Sequence, residues 1–563
     1  MTHIDYRLEL ETTHSSTGYL SVSPQNIEGE ETLLKALETT PMDTFLRRKV
    51  LSLLGGLGED GLMDRYKDGS SFLREMIYET ALTFDVFSVL RERLEGEGWR
   101  AEKVNSPLVT ARFWAENGYE THPWAEMLIE NSAELTELPG AEEAPMLKEV
   151  PGPTGLSEPL PVAEMAREIA DDHPFEERQS AADTASIAKM KLEALGLFTG
   201  VELRHQASLS PVGLMRKWRL DHHVACGSLN YHLSGEQTSY GKGLSLADAR
   251  ASLYMEVAER HSSYASIENG RVVGTVKEHE VVKARFSELV ASGQRALDPN
   301  SLLLDVPYKD ESLHWMQGVT RREGEELPIW VPVQAVFLFM NLDEPDLFQS
   351  LGSTGLASGN TLEEARLSGL YEALEREAEA TQPFDPALCF ELFTANENLG
   401  PLLSAYRQAG IHLFFQEMTG RFGIPCCKAM VMDGEGRVAK GCSVHLDARR
   451  AAVSAMTEVP YGFPEGEESL APPCKPVPVH EEQLPNYSMG SAKGDVALVE
   501  KLLACEGFSP VYVDLTRSDL EIPVVKTLIP GFAFSADFGA LTRISPRMLS
   551  CAWAMMKAKP CQS

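Results

Sequence analysis

The chain has 563 residues, 43% of them hydrophobic and 24% charged, which is ordinary for a soluble globular protein and long enough for two to four domains. Its formal net charge of -32 disfavours a nucleic-acid backbone or an anionic membrane as the main partner, since either calls for a basic surface. No apolar run has the length of a membrane span and the polar start MTHIDYRLELETTHSS has no signal-peptide core, so a cytoplasmic location is expected.

Residues 1–26 alternate weakly and allow one or two strands. From 30 to 99, TLLKALETTPMDTFLRRKVLSLL and SSFLREMIYETALTFDVFSVLRERL place apolar residues at helical spacing. This predicts a helical module, serving either as a docking surface for a partner or substrate leader or as a structural extension. Between 126 and 177 fourteen acidic residues are opposed only by Lys148 and Arg167, and Pro139, Pro145, Pro151, Pro153, Pro159 and Pro161 interrupt the run. Such a stretch repels itself and is expected to be a solvated linker. Beyond 178, helices alternate with short β-branched runs, as in an α/β domain. ADTASIAKMKLEALGL reads as a helix, SLNYHLSG as a strand, and WVPVQAVFLFM and CCKAMVMDG as core strands, while residues 476–491 read as a surface loop. The expected organisation is a mainly helical N-terminal domain over 1–138, a linker over 139–177 and an α/β domain over 178–563.

The nine cysteines form no CxxC pair and no regular framework, so reduced thiols are expected. His222, His223 and Cys226 lack the further ligands a zinc site needs, and Cys426 and Cys427 lie in an apolar run that predicts structural thiols. No cysteine precedes Cys226, which argues against a fused zinc-bearing domain.

Residues 353–377, STGLASGNTLEEARLSGLYEALERE, concentrate the chemistry. Asn360 and Thr361 can cap a helix on which Glu364, Glu372 and Glu375 fall within about 80° of one another. Carboxylates on one face repel unless a cation lies among them, so the face is either solvated or cation-binding. An upstream copy bears on that choice. GLSLADARASLYMEVAER (243–260) aligns without a gap to GNTLEEARLSGLYEALER (359–376), placing Asp248, Glu256, Glu259 and Arg260 on Glu364, Glu372, Glu375 and Arg376. A duplication that keeps charged as well as core positions is hard to explain by packing alone. A fainter third copy, LDARRAAVSAMTE, holds the spacing with Asp447 and Glu458. Three such helices could converge on Mg²⁺, which bridges Glu carboxylates to substrate phosphates, with Arg side chains and Gly-flanked helix starts meeting the anion. No Walker A string occurs, and SYGKGLS is only a short Gly-Lys-Gly turn.

SYGKGLSLADARASLYMEVAER, GLASGNTLEEARLSGLYEALERE, GCSVHLDARRAAVSAMTE and VYVDLTRSDLEIPVVKTLIPGF, in that order, resemble the YcaO domain family over roughly residues 180 to 545. The resemblance implies a YcaO-type α/β fold of repeated strand, turn and acidic-helix units, with ATP and Mg²⁺ as cofactors. It implies phosphorylation of a peptide-backbone amide oxygen in a peptide or protein substrate, for cyclodehydration or thioamidation. On the matching positions, Glu256, Glu259, Glu372, Glu375 and Glu458 are the implied Mg²⁺ ligands, and Ser252, Asn360, Glu364 and Arg376 the implied nucleotide contacts. Glu375 and Arg376 would stand at the reaction itself, and Thr184 or Ser186 would supply a hydroxyl from the helix opening the domain. A sulfur-transfer or leader-peptide-binding partner and a homodimer are compatible with this reading. The alternative is an ATP-binding accessory protein that assists another enzyme, for example in modifying a ribosomal protein.

Two positions depart from the family pattern. Ser454 stands where an Arg usually precedes the final Glu, leaving Arg449 or Arg450 to reach in, and no Lys stands clearly at its expected place on the opening helix. The chain ends KAKPCQS, without the proline-rich tail of azoline-forming relatives, which argues against azoline formation.

Overall fold

The computed structural model describes residues 3–12, 18–101, 122–145, 159–304, 306–322, 324–348, 351–533 and 543–559, with 104, 106, 109, 110 and 113. Three sheets carry the architecture. A long hairpin organises the first: strands Val212–Cys226 and Leu229–Gly243 pair along their whole length around the turn Gly227-Ser228, where Gly227 takes φ 60°. Gly235 lets strand Ile4–Thr12 run parallel beside this hairpin, because a Cβ there would stand 2.3 Å from the Leu8 carbonyl oxygen. Strand Gly18–Pro24 adds antiparallel at that edge. Both N-terminal strands are thus formed, and they join the N-terminal segment to the sheet that leads into the first acidic helix.

Five helices follow, Glu30–Thr39, Thr44–Gly55, Gly58–Asp68, Ser71–Thr83 and Ser88–Gly96. Their apolar faces, with Leu37, Leu46, Leu54, Ile77 and Leu90, enter the same core as the first two sheets. Polar stitches fix the layer: Tyr6 donates its hydroxyl proton to Asp43 at 2.6 Å, and the Asn341 amide donates to the same carboxylate at 2.9 Å. In the acidic stretch, Val162–Ile169 is a helix that buries Val162 and Met165 and packs on helix Ala492–Cys505. There Lys501 pairs with Glu168 at 2.6 Å. That part lies on the protein rather than extending freely, because its apolar residues fall at helical spacing. Residues 146–158 lie outside the described ones.

The second sheet runs Glu325–Pro332, Leu313–Arg322, Val511–Asp514, Val524–Leu528, Leu356–Ser358. The third runs Val438–Val444, Cys426–Met432, Phe414–Glu417, Cys389–Phe393, Val477–His480. Residues 330–340, expected as a core strand, are extended only to Pro332. Proline has no N–H for the ladder, and the chain turns at once into a 3-10 turn, Val333–Ala335. Residues 476–491, expected as a loop, supply the parallel edge strand Val477–His480 and then brace the third acidic helix, with Ala448 N donating to Pro485 O at 2.9 Å. Among the described residues no helix is long and apolar enough to cross a membrane.

Candidate active site

Two helices begin alike. Helix Leu246–Ser262 starts at Ser245, whose Oγ accepts from Asp248 N at 3.2 Å while Asp248 accepts from Ser245 N at 3.1 Å. Helix Leu362–Thr381 starts at Thr361, whose Oγ1 accepts from Glu364 N at 3.2 Å, and Glu364 accepts from Asn360 N at 2.8 Å. The glycines before them stand equally close to the first turn. A Cβ on Gly243 would lie 2.5 Å from Asp248 Cβ, and one on Gly359 would lie 2.7 Å from Glu364 Cβ. Helix Ala448–Glu458 differs. Asp447 is its N-cap, accepting from Arg449 N at 3.0 Å, whereas Asp248 and Glu364 stand inside the first turn. The third segment therefore keeps the sequence spacing of its acids but not their place on the helix.

Glu256, Glu259, Glu372, Glu375 and Glu458 converge from the three helices closely enough to perturb one another. Burial first, then Glu372 and Glu256, push the Glu259 carboxyl up to about 8 against the pull of Arg260. Glu372 and Glu256 are raised mainly by burial, and Glu375 is raised well above the usual range by burial, Cys442 and Glu458. Glu458 is open to solvent yet crowded by protein; burial pushes it up to about 7, with Glu372 and Glu379 adding to the rise. Arg376 lies 3.2 Å from Glu375 and 2.7 Å from Glu379, and Arg260 lies 3.8 Å from Glu259 and 3.9 Å from Glu256. So many raised carboxyls together mark a buried place where acidic groups outnumber the cations beside them.

The donor set suits Mg²⁺: hard carboxylate oxygens on rigid helices, with guanidinium groups at hand for anions. Among the described residues no three His, Cys, Asp or Glu stand close enough to enclose an ion by themselves. That also suits Mg²⁺, which takes one or two carboxylates and completes its octahedron with phosphate oxygens and water.

A second group adjoins this one. Thr184 donates to Asn360 Oδ1 at 3.1 Å, and Gln179 Nε2 donates to the same oxygen at 3.2 Å. Ser186 is two residues further along helix Ala181–Ala194, about 200° around it, and is exposed; the structure does not bring it to Asn360. Ser252 accepts from Lys242 N at 3.4 Å. On the opening helix Lys191 donates to Glu521 O at 2.9 Å and Lys189 lies 3.9 Å from Glu193, so both are engaged elsewhere.

Neither arginine of the third helix takes the place of the one missing at Ser454. Arg449 pairs with Glu481 at 3.1 Å and Arg450 lies 4.0 Å from Asp447. The first cation to lower Glu458 is Lys242, which also lowers Glu256. Sequence reasoning dismissed SYGKGLS as a turn. In the structure it is the end of a strand that touches helix Ala448–Glu458, and strand alternation puts Lys242 on the face away from buried Gly241. Lys526 was passed over too. It is 1% exposed, donates to Gly352 O at 3.0 Å, and is pulled down to about 8 by burial while Glu372 and Glu259 hold it up. A lone Lys in the apolar run PVVKTL was the available signal, since lysine is almost never buried unpaired. Lys242→Ala is expected to weaken nucleotide binding about tenfold and to raise Glu458 further; a titration showing unchanged affinity would refute that role.

The profile of YcaO, described as a YcaO cyclodehydratase that binds ATP and Mg²⁺, matches residues 240–464 and 460–533. The chain belongs to the YcaO family. ATP and Mg²⁺ are accordingly its cofactors. Among relatives, it is 30% identical over 345 residues to an uncharacterized protein of Methanothermobacter thermautotrophicus, covering 53% of this chain and 82% of that one. It is 28% identical over 235 residues to an uncharacterized protein in the tfuA 3' region of Rhizobium leguminosarum bv. trifolii, covering 39% and 53%. Similar solved structures include a heterocyclase in complex with substrate and cofactor, with a TM-score of 0.48 at 18% identity over 68% of this chain and 58% of that one. Another is YcaO from Methanopyrus kandleri bound with AMPPCP and Mg²⁺, with a TM-score of 0.46 at 20% identity over 63% and 91%. The YcaO match contains Glu256, Glu259, Glu372, Glu375 and Glu458 as well as Lys242 and Lys526.

Proposed function

We propose that this protein activates a peptide-backbone amide at the expense of ATP, for cyclodehydration or thioamidation of a peptide or protein. The observation that carries the proposal is the convergence of Glu256, Glu259, Glu372, Glu375 and Glu458 from three helices, with Arg376, Arg260, Lys242 and Lys526 among them. One or two of the five carboxylates at a time would hold a Mg²⁺ ion, with the nucleotide's phosphate oxygens and water supplying the rest of its ligands. Thr184, Asn360, Glu364 and Ser252 would orient the nucleotide, and Arg376 and Lys242 would meet its phosphates. When bound, Mg-ATP supplies the phosphoryl group that turns an amide oxygen into a leaving group. The work of the chain is to place the amide against that group and to neutralise charge as it develops, which is how phosphoryl transfer is generally accelerated. In this reading residues 178–563 are the catalytic domain and residues 1–138 a module through which a substrate or a sulfur-transfer partner docks.

A second reading, an ATP-binding accessory protein, is favoured by Ser454 at the place of the usual Arg. One experiment separates the two. The protein is incubated with ATP, Mg²⁺ and a peptide library, with and without sulfide, and phosphate release is followed alongside the peptide mass. Peptide-dependent phosphate release with loss of water, or with exchange of oxygen for sulfur, is expected. Nucleotide binding with no turnover under any of these conditions would overturn the catalytic reading in favour of the accessory one.

A further inference from the structure

A cavity of about 260 Å³ lies where helix Thr44–Gly55 meets the turn after strand Glu325–Pro332. Its wall is aromatic, with Phe45, Phe337, Phe339 and Phe348 beside Met340; Arg48 and Asp346 are its charged lining residues, and Asp346 has a partner of its own. Three observations give it meaning beyond packing. First, Phe339 is held at φ 49°, a left-handed conformation that a bulky L-residue rarely adopts. Its ring lies parallel to that of Tyr264, with centroids 6.2 Å apart and 7° between the planes. Strain of this kind persists where surrounding structure imposes it, and it gathers at ligand clamps.

Second, Arg48 is exposed and has no ion-pair, hydrogen-bond or ring partner among the described residues, in a chain with a formal net charge of -32. A guanidinium left free at the mouth of an aromatic cavity complements a carboxylate on whatever enters.

Third, the cavity is linked to the acidic cluster through Gly352 and the Lys526 side chain. Gly352 lines it, and the Gly352 carbonyl accepts from Lys526 at 3.0 Å. Lys526 is buried and feels the charges of Glu372 and Glu259, and three residues on, the Gly355 amide faces Glu372. A peptide lying over residues 352–355 could therefore have one side chain in the cavity while a neighbouring amide reaches the carboxylates.

We infer that this cavity is a specificity pocket for the substrate peptide, taking an aromatic side chain, with Arg48 pairing the acidic side chain of an adjacent residue. The inference rests on the peptide-modifying reading and names the class of peptide. Helix Thr44–Gly55 comes from the N-terminal helical layer, so that layer would contribute directly to substrate choice.

The test uses the full chain and three blocked tetrapeptides with central pairs Phe-Asp, Phe-Lys and Ala-Asp. Binding is read by saturation-transfer NMR with a non-hydrolysable ATP analogue and Mg²⁺ present, and nucleotide binding is titrated on the same samples. The Phe-Asp peptide is expected to bind most tightly. Arg48→Glu is expected to weaken it about fivefold or more, the scale of a rim ion pair, to favour Phe-Lys instead, and to leave nucleotide affinity unchanged. Equal binding of all three peptides, or an unchanged order in Arg48→Glu, would overturn the inference. Peptide selectivity of the expected kind without nucleotide binding would support the pocket while refuting the ATP-dependent activity, so the two claims fail separately.

Discussion

Glu375→Gln is expected to lower ATP turnover by about a hundredfold or more, the usual effect of removing one charge from a preorganised site, while leaving the unloaded protein at least as stable as before. Glu375 is 9% exposed and lies 3.2 Å from Arg376, with Cys442, Glu458 and Glu379 crowding it. Burial and those neighbours, against the pull of Arg376, raise its pKa well above the usual range and so favour the neutral carboxyl. Glutamine has nearly the shape of that neutral acid and removes its electrostatic liability, which is why the fold should tolerate it. What glutamine cannot do is give up a proton and become an anionic oxygen ligand. The variant should also lose most of the thermal shift that Mg²⁺ and nucleotide confer on the wild type. Turnover retained at the wild-type level would remove Glu375 from the mechanism, and an unfolded variant would contradict the neutral-carboxyl account.

The second large effect is a pH dependence that reverses on loading. Glu259 stands at about 8 in the fold against an ordinary value of 4.5, so between these values the folded chain binds more protons than the unfolded chain. Its contribution to stability is complete below about 4.5 and is lost as pH rises through 8. Glu458, at about 7, acts in the same sense, as does His314, raised to about 9 by Cys226 and Glu344 against burial. His222 and His261 act oppositely: burial holds them at about 3 and about 4, so their stability is complete above about 6.5 and is lost as pH falls. From pH 6.5 to 8 the carboxyls are therefore unopposed by these histidines. The unloaded protein should lose stability on the order of 2 kcal/mol across that window, seen as a fall of a few degrees in Tm. Mg²⁺ needs the carboxylates ionised, so its binding with nucleotide should tighten with pH and release protons. The gap in Tm between loaded and unloaded protein should widen from pH 6.5 to 8. A constant gap would mean that these carboxyls are not what the metal displaces protons from.

Much of this was legible in the chain because the decisive residues lie on helices, where spacing fixes direction. Glu372, Glu375 and Arg376 share one helix, and the gapless second copy carries Glu256, Glu259 and Arg260. What periodicity cannot convey is which strands bring those helices together. Lys242 and Lys526 are on strands and act on Glu458 and Glu372 through charge across the tertiary structure, so local sequence hides their role. The same limit applies to Asp447, whose spacing to Glu458 matches the other copies although it caps its helix instead of standing in the first turn. Strand Ile4–Thr12 could be foreseen as a strand, but its parallel pairing with Leu229–Gly243 rests on a missing side chain at Gly235, more than 200 residues away. The hydrophobic run 330–340 suggests a strand throughout, but Pro332, whose missing N–H ends the ladder, stops it. Thr184 and Ser186 were equivalent as hydroxyls in the sequence; only the packing of their helix beside Asn360 separates them.

The central claim is that the carboxylates of three helices form one Mg²⁺-dependent nucleotide site. Calorimetric titration of the purified protein with a non-hydrolysable ATP analogue, with and without Mg²⁺, tests it most directly. Tight binding that requires Mg²⁺ and is lost in Glu375→Gln is the predicted result. A demonstrably folded sample that binds no nucleotide, or binds it equally well without Mg²⁺, would contradict it.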